Sequence, residues 1–365
     1  MFTLNCTSGL RGFQSLGFLL MALSPLTGLA GPNYQIWVSN ERSGDVTLID
    51  GGDNKVLGSI PVGKRPRGIH SSPDGKAVYV ALSGTPIQAP PQLDAKGNPI
   101  FKRDKADDDD DDNAKADKSA DAIGVVDVAT RKLTRKIYAG SDPEEFALSK
   151  DGTKLYVSNE DVKTASVVNI ATGKVEHIVP VGQEPEGVAT VPDGKRFYVT
   201  CESGGEVYAV ETGGYTVVGH FKVNVRPRSM AFLPGGDIGF IPSESTGELN
   251  VIDTVNLKVS KVITLPSGSR PMSVKTASDG GKIYVSNGRA GTISVLDGRS
   301  YELLTTIKVG TRPWGIALSP DGKLLYSANG PSNDVSVVDL ETQKEIARVK
   351  AGESPWSVAI VPAAH

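Results

Sequence analysis

VGTRPWGIALSPDGKLLYSANGPSNDVSVVDL, residues 309–340, is the unit from which nearly all the rest of the 365-residue chain is rewritten. Residues 315–319 form a short apolar run that stops at Pro320-Asp321-Gly322-Lys323, a tight-turn signal between two strand-like runs. A second run, 324–328, ends in Asn329-Gly330-Pro331-Ser332-Asn333-Asp334, a loop by composition. Residues 335–338 alternate apolar and polar side chains and end in Asp339, and Arg348-Val349-Lys350 closes a fourth strand before the pattern restarts at Pro355. Four short strands separated by turn residues therefore make one repeat.

The prolines that open each copy set the period: Pro66, Pro143, Pro185, Pro227, Pro271, Pro313 and Pro355. Every interval is 42 or 44 residues except the first, which is 77, one repeat plus an insertion. Four strands in roughly 40–45 residues is the signature of a β-propeller blade. Seven prolines predict an all-β, seven-bladed β-propeller. The last copy supplies only one strand, 355–361, before the chain stops at His365, and the three missing strands stand at the other end, at 35–39, 46–49 and 56–62. A blade shared by both termini closes the ring and removes the open sheet edges that invite aggregation.

A short motif recurs at the second strand: Trp37-Val38-Ser39-Asn40, Tyr156-Val157-Ser158-Asn159, Tyr198-Val199-Thr200-Cys201 and Tyr284-Val285-Ser286-Asn287. With the Pro-x-Gly-Ile-Ala and Pro-Asp-Gly-Lys segments, it resembles the YVTN-type β-propeller repeat family. The resemblance covers the chain after its first 30 residues. It implies the seven-bladed fold and, through the propellers associated with PQQ-dependent alcohol catabolism, a setting in periplasmic quinoprotein oxidation.

Residues 1–30 read as a secretory signal peptide. Arg11 precedes an apolar segment, no acid occurs before Glu41, and Gly28-Leu29-Ala30 suits cleavage before Gly31. The propeller then occupies 31–365 as an exported, periplasmic monomer with no transmembrane span. Removal of the leader would leave Cys201 as the one cysteine, so no internal disulfide can form. Cys201 stands where other copies carry Asn40, Asn159, Asn287 and Asn329; it reads as a small strand-end residue or as a reactive thiol. The net charge of −3 argues against a nucleic-acid surface.

The insertion, 86–121, opens Pro-rich and reaches six consecutive aspartates, Asp107 to Asp112. Ten aspartates against six lysines and arginines predict a solvated, disordered segment, without the spaced ligands and glycine of a calcium loop. It interrupts the second-to-third strand loop of the first complete blade. That places it on the face where the blade-to-blade connections converge on the central channel.

The residues flanking each proline should line that mouth. They are Arg65 and Arg67, Asp142 and Glu144, Glu184 and Glu186, Arg226 and Arg228, Arg270 and Met272, Arg312 and Trp314, Ser354 and Trp356. Converging arginines suit carboxylates or phosphates, and indole faces suit a planar ring or a cation. Alternatively the ring neutralises itself, Arg226 and Arg228 pairing with Glu184 and Glu186. His70 stands where other copies place alanine, which puts it near the channel as a base, a ligand or a structural residue. No nucleophile elbow, phosphate loop or haem-attachment motif is present, and no motif requires a resident metal or cofactor.

These residues favour a non-catalytic accessory protein that holds an anionic small molecule or a periplasmic redox protein at an Arg/Trp mouth. The alternatives are a lactonase on the same fold, drawing on Glu144, Glu186, Arg228 and His70, and a scaffold whose acidic insertion recruits a basic partner.

Overall fold

The computed structural model describes residues 34–87 and 116–362. The expected leader, the centre of the insertion and His365 lie outside the described residues. Among the described residues twenty-eight strands, numbered β1 to β28 in chain order, form seven antiparallel sheets of four. The innermost strands are β4 (Pro66–Ser71), β8 (Pro143–Leu148), β12 (Pro185–Thr190), β16 (Ala231–Phe232), β20 (Pro271–Thr276), β24 (Pro313–Leu318) and β28 (Pro355–Pro362). Within a blade the strands follow in sequence order, with one exception. In the closing blade β28 pairs with β1 (Tyr34–Asn40), which pairs with β2 (Asp45–Asp50) and then β3 (Val56–Pro61), so the two ends of the ring are joined by hydrogen bonds.

The recurring motif has a physical cause in two ties. Its asparagine donates Nδ2 to the hydroxyl seven residues later on the third strand: Asn40 to Thr47, Asn159 to Ser166, Asn287 to Ser294 and Asn329 to Ser336, each at 2.8 Å. In the β16 blade the pair is inverted, Asn250 donating to Ser243 Oγ at 2.9 Å. Its serine or threonine bonds the next blade instead. Ser39, Ser158, Thr200 and Ser286 donate to the carbonyls of Arg67, Glu186, Arg228 and Trp314, each at 2.6 Å. One tetrapeptide thus stitches a sheet internally and fixes its neighbour.

The outer strand of the repeat is β27 (Lys344–Lys350), which Arg348-Val349-Lys350 closes, its solvent face carrying charge while Val349 packs inward. One strand reading needs correction. In the fourth copy Pro227 makes only an isolated bridge to Ser243, and the regular inner strand is reduced to Ala231–Phe232.

Candidate functional site

Three backbone devices place the mouth residues. The residue before each proline is left-handed in all seven copies: Arg65, Asp142, Glu184, Arg226, Arg270, Arg312 and Ser354 have φ between 44° and 59°. This conformation is costly for residues with a Cβ and persists where neighbours enforce it. Here the residue following the second strand grips it, as Glu202 N–H donates to the Glu184 carbonyl at 2.8 Å and Glu244 N–H to that of Arg226 at 2.9 Å. Next comes a bulge, with Pro313 opposite Asn329 but Ile316 opposite Ser327; the same slip occurs in β4, β8, β12 and β20. A bulge takes side chains out of the ladder and re-aims them. The serine and threonine ties then hold Arg67, Glu186, Arg228 and Trp314 by their carbonyls.

Half of the mouth is ionic. Arg67, 1% exposed, bonds Asp142 at 2.5 Å, Glu144 at 2.6 Å and Glu160 at 3.5 Å. Arg228 bonds Glu186 at 2.5 Å, Glu202 at 2.6 Å and Glu244, and Arg226 bonds Glu202 at 2.6 Å and Glu244 at 3.4 Å. Arg270 reaches Glu244 at 3.3 Å, and Arg65 reaches Glu41 at 2.8 Å. Of the expected pairs, Arg228–Glu186 forms. Glu184 instead accepts from Ser203, and Arg226 turns to carboxylates of the second strands' ends. Glu41, Glu160, Glu202 and Glu244 share one repeat position, just after the second strand, and sequence reasoning missed them. Their common register was the available signal.

Burial and pairing divide these carboxyls. Burial works against ionising Glu244, but Arg228, Arg226 and Arg270 outweigh it and hold the carboxyl at about 2. Asp142 is likewise held at about 2, chiefly by Arg67 against burial. Glu186 goes the other way: burial pushes it well above the usual carboxylate range despite Arg228, and the facing Glu202 adds to the rise. Glu160 is raised well above that range by burial and by Glu144. Desolvation disfavours a second charge where one guanidinium serves two carboxyls.

The other half is apolar. Met272, Trp314 and Trp356 follow one another round the ring, the two indoles lying 5.4 Å apart with a 34° tilt. In the blades of Met272 and Trp314 the position that carries glutamate elsewhere is Gly288 or Gly330. A Cβ at Gly288 would come to 3.0 Å from Met272, so the glycine makes room for the larger side chain. Arg312 and Arg228 lie over the Trp314 ring at 5.2 and 5.7 Å.

Below the mouth the channel widens into a cavity of about 410 Å³ lined by Glu186, Arg228, Met272, Trp314 and Trp356, and by His70, Glu145 and Lys275. His70 Nε2 lies 2.8 Å from Glu145 Oε1, which also accepts from the Phe146 N–H at 2.9 Å. The His70 ring meets Phe146 edge-on at 4.9 Å. The sequence reading placed His70 correctly at the channel but missed Glu145 and Lys275. Both had a signal: Glu145 aligns with Gly68, Gly187, Ser229, Ser273, Gly315 and Ser357, and Lys275 with five alanines and His70.

His177 and His220 lie on outer strands, β11 (Lys174–Pro180) and β15 (Val217–Lys222), away from the channel. Cys201 is buried, with its thiol pushed up to about 12 by desolvation, so it behaves as a core residue. The insertion leaves and re-enters beside the mouth between β5 (Ala77–Leu82) and β6 (Ala122–Asp127), as expected. At its base Asp121 accepts from the backbone N–H groups of Gly84 and Asp142 at 2.7 and 3.0 Å. Among the described residues no group of three or more His, Cys, Asp or Glu side chains is arranged to hold a metal, and no helix is long and apolar enough to cross a membrane.

Two family models match parts of the chain: "Choice-of-anchor I domain" over residues 35–184 and "Lactonase, 7-bladed beta-propeller" over residues 207–354. No curated protein matches. Among solved structures, hydrazine synthase of Kuenenia stuttgartiensis is 19% identical with a TM-score of 0.68, over 88% of this chain and 99% of that one. The periplasmic gluconolactonase of Pseudomonas aeruginosa is 19% identical with a TM-score of 0.67, over 91% and 99%. A functionally unknown protein from Desulfotomaculum acetoxidans is 14% identical with a TM-score of 0.70, over 90% and 98%. At such identities the likeness carries the fold, and the same ring hosts different chemistries.

Proposed function

We propose that this propeller is a periplasmic lactonase-type hydrolase that opens a cyclic ester in its central channel. The observation that carries the reading is the His70–Glu145 contact of 2.8 Å inside a cavity that Met272, Trp314 and Trp356 also line and whose rim holds a raised carboxyl, Glu186. With Nε2–H donated to Glu145, the imidazole presents Nδ1 as a base that takes a proton from a water attacking the acyl carbon. Glu145 fixes the tautomer and steadies the imidazolium that forms, as an orienting carboxylate does in other base dyads. Glu186 holds its proton above the usual carboxylate range and supplies it to the departing ring oxygen. Trp314, Trp356 and Met272 bind the ring and exclude bulk water, which strengthens every polar contact inside. The lactonase family match over 207–354 and the gluconolactonase likeness support this reading over a purely non-catalytic one.

Arg67 and Arg228 act as braces, since carboxylates already occupy them. A second reading keeps the accessory binding protein of quinoprotein oxidation. The adjacent indoles favour it, because they suit a flat aromatic ligand.

Proton release from a panel of five- and six-membered lactones tests the proposal. The wild type should exceed the spontaneous rate for at least one lactone, and His70→Ala should lower the rate by about 10²-fold or more. A thermal shift with flat carboxylated rings, without hydrolysis of any lactone, would favour the second reading.

A further inference from the structure

Four residues after each repeat proline the ring carries His70, Ala147, Ala189, Ala231, Lys275, Ala317 and Ala359. Five alanines open the space into which the two long polar side chains project. His70 has Glu145 as its partner. Arg228, the arginine that lines the same cavity, is held by three carboxyls. Lys275 stands apart: among the described residues its ammonium makes no ion pair and no hydrogen bond, and Glu145 is the charge that acts on it. Its side chain faces the cavity while protein surrounds it, and burial lowers its pKa. A lone cation in such a site gains most from an arriving anion, which supplies the charge and the acceptors that water gives elsewhere.

We infer that Lys275 is the carboxylate-binding residue of the channel, taking the acid group that ring opening creates. The inference rests on the lactone-hydrolysis reading. Water adds to the acyl carbon, the acyl–oxygen bond of the ring breaks, the ring oxygen leaves as a hydroxyl, and the new acid releases one proton to become a carboxylate. A neutral lactone offers Lys275 only a carbonyl, whereas the product offers a full charge. The channel therefore holds hydroxy acids more tightly than their neutral counterparts, and product leaves slowly.

Calorimetric titration of the full-length mature protein with gluconate and with its neutral counterpart glucitol tests this. Gluconate should bind at least about tenfold more tightly than glucitol, and Lys275→Met should erase that preference while leaving glucitol binding unchanged. Lys275→Gln serves as the second variant should Lys275→Met fail to fold by thermal melting. Equal binding of gluconate by wild type and a folded Lys275 variant would overturn the inference, as would a wild type that binds both compounds alike. Lys275-dependent gluconate binding without hydrolysis of any lactone would sink the hydrolase reading and keep the site. Hydrolysis with gluconate binding indifferent to Lys275 would do the reverse.

Discussion

Glu186 and Glu244 grip the same guanidinium and are shifted in opposite directions. Glu244 faces three arginines and is held at about 2, whereas Glu186 shares Arg228 with Glu202 and is raised. Glu244→Gln removes a buried charge that Arg226, Arg228 and Arg270 all use. Urea unfolding should register a loss of about 3–5 kcal/mol. At Glu186 burial already works against the charged form, so Glu186→Gln should cost clearly less stability than Glu244→Gln while losing lactone hydrolysis. Equal losses for both variants would contradict this division. Cys201 belongs to the same scale: its buried thiol, pushed to about 12, should resist a maleimide in the folded protein and react fully in denaturant. Labelling of the native state would show an access path that the packing does not contain. The arginines, tryptophans and His70 were legible as residues. Their partners were legible only as a shared register after the second strand; that Glu202 and Glu244 meet Arg228 depends on the bulge and the left-handed turn that aim the arginine, which residue type does not reveal.

The second strand is the element that organises each blade. Its asparagine ties the third strand and its serine ties the next blade, so the motif is a joint rather than a site. In the β12 blade the asparagine is replaced by Cys201 and its hydroxyl partner by Tyr208, and the tie is absent there. Cys201→Asn alone should destabilise by about 1–3 kcal/mol, since the buried amide lacks the hydroxyl seven residues on that its counterparts use. Cys201→Asn with Tyr208→Ser should recover about 1 kcal/mol or more of that loss, a coupling that a double-mutant cycle reads directly. Additive effects would show that the tie does nothing for stability. Here the sequence was nearly sufficient: Pro-Asp-Gly-Lys predicts the turn in which Asp321 accepts from Ser319 and from the Lys323 N–H and Gly322 adopts φ 69°. The short β16 was not legible, because Pro227 and its neighbours match the other copies in type while Arg228 is drawn into the ion cluster.

At the scale of the ring, the period and the count of prolines determine seven blades, and closure by β28 on β1 follows from the incomplete last copy. Function was far less legible, since one ring serves many chemistries and the working residues are exceptions scattered over separate blades. The ionic half also sets a pH response. Asp142 and Glu244 are depressed, so their stabilisation is present above the unfolded carboxyl pKa of about 4 and lost as pH falls towards 2. Glu144, Glu160 and Glu186 are raised, so theirs is complete below that unfolded value and lost as pH rises through their folded pKa. Thermal melts from pH 2 to 9 should therefore peak just above about pH 4.5 and decline on both sides. A Tm that climbs steadily to pH 8 would contradict the assignment of raised carboxyls. The most direct test of the central claim is kcat for Glu145→Gln on the lactone that wild type opens fastest. If the channel dyad is the working centre, kcat falls by about 10²-fold or more with KM little changed, because the imidazole loses its orienting charge. An unchanged kcat would place the chemistry elsewhere.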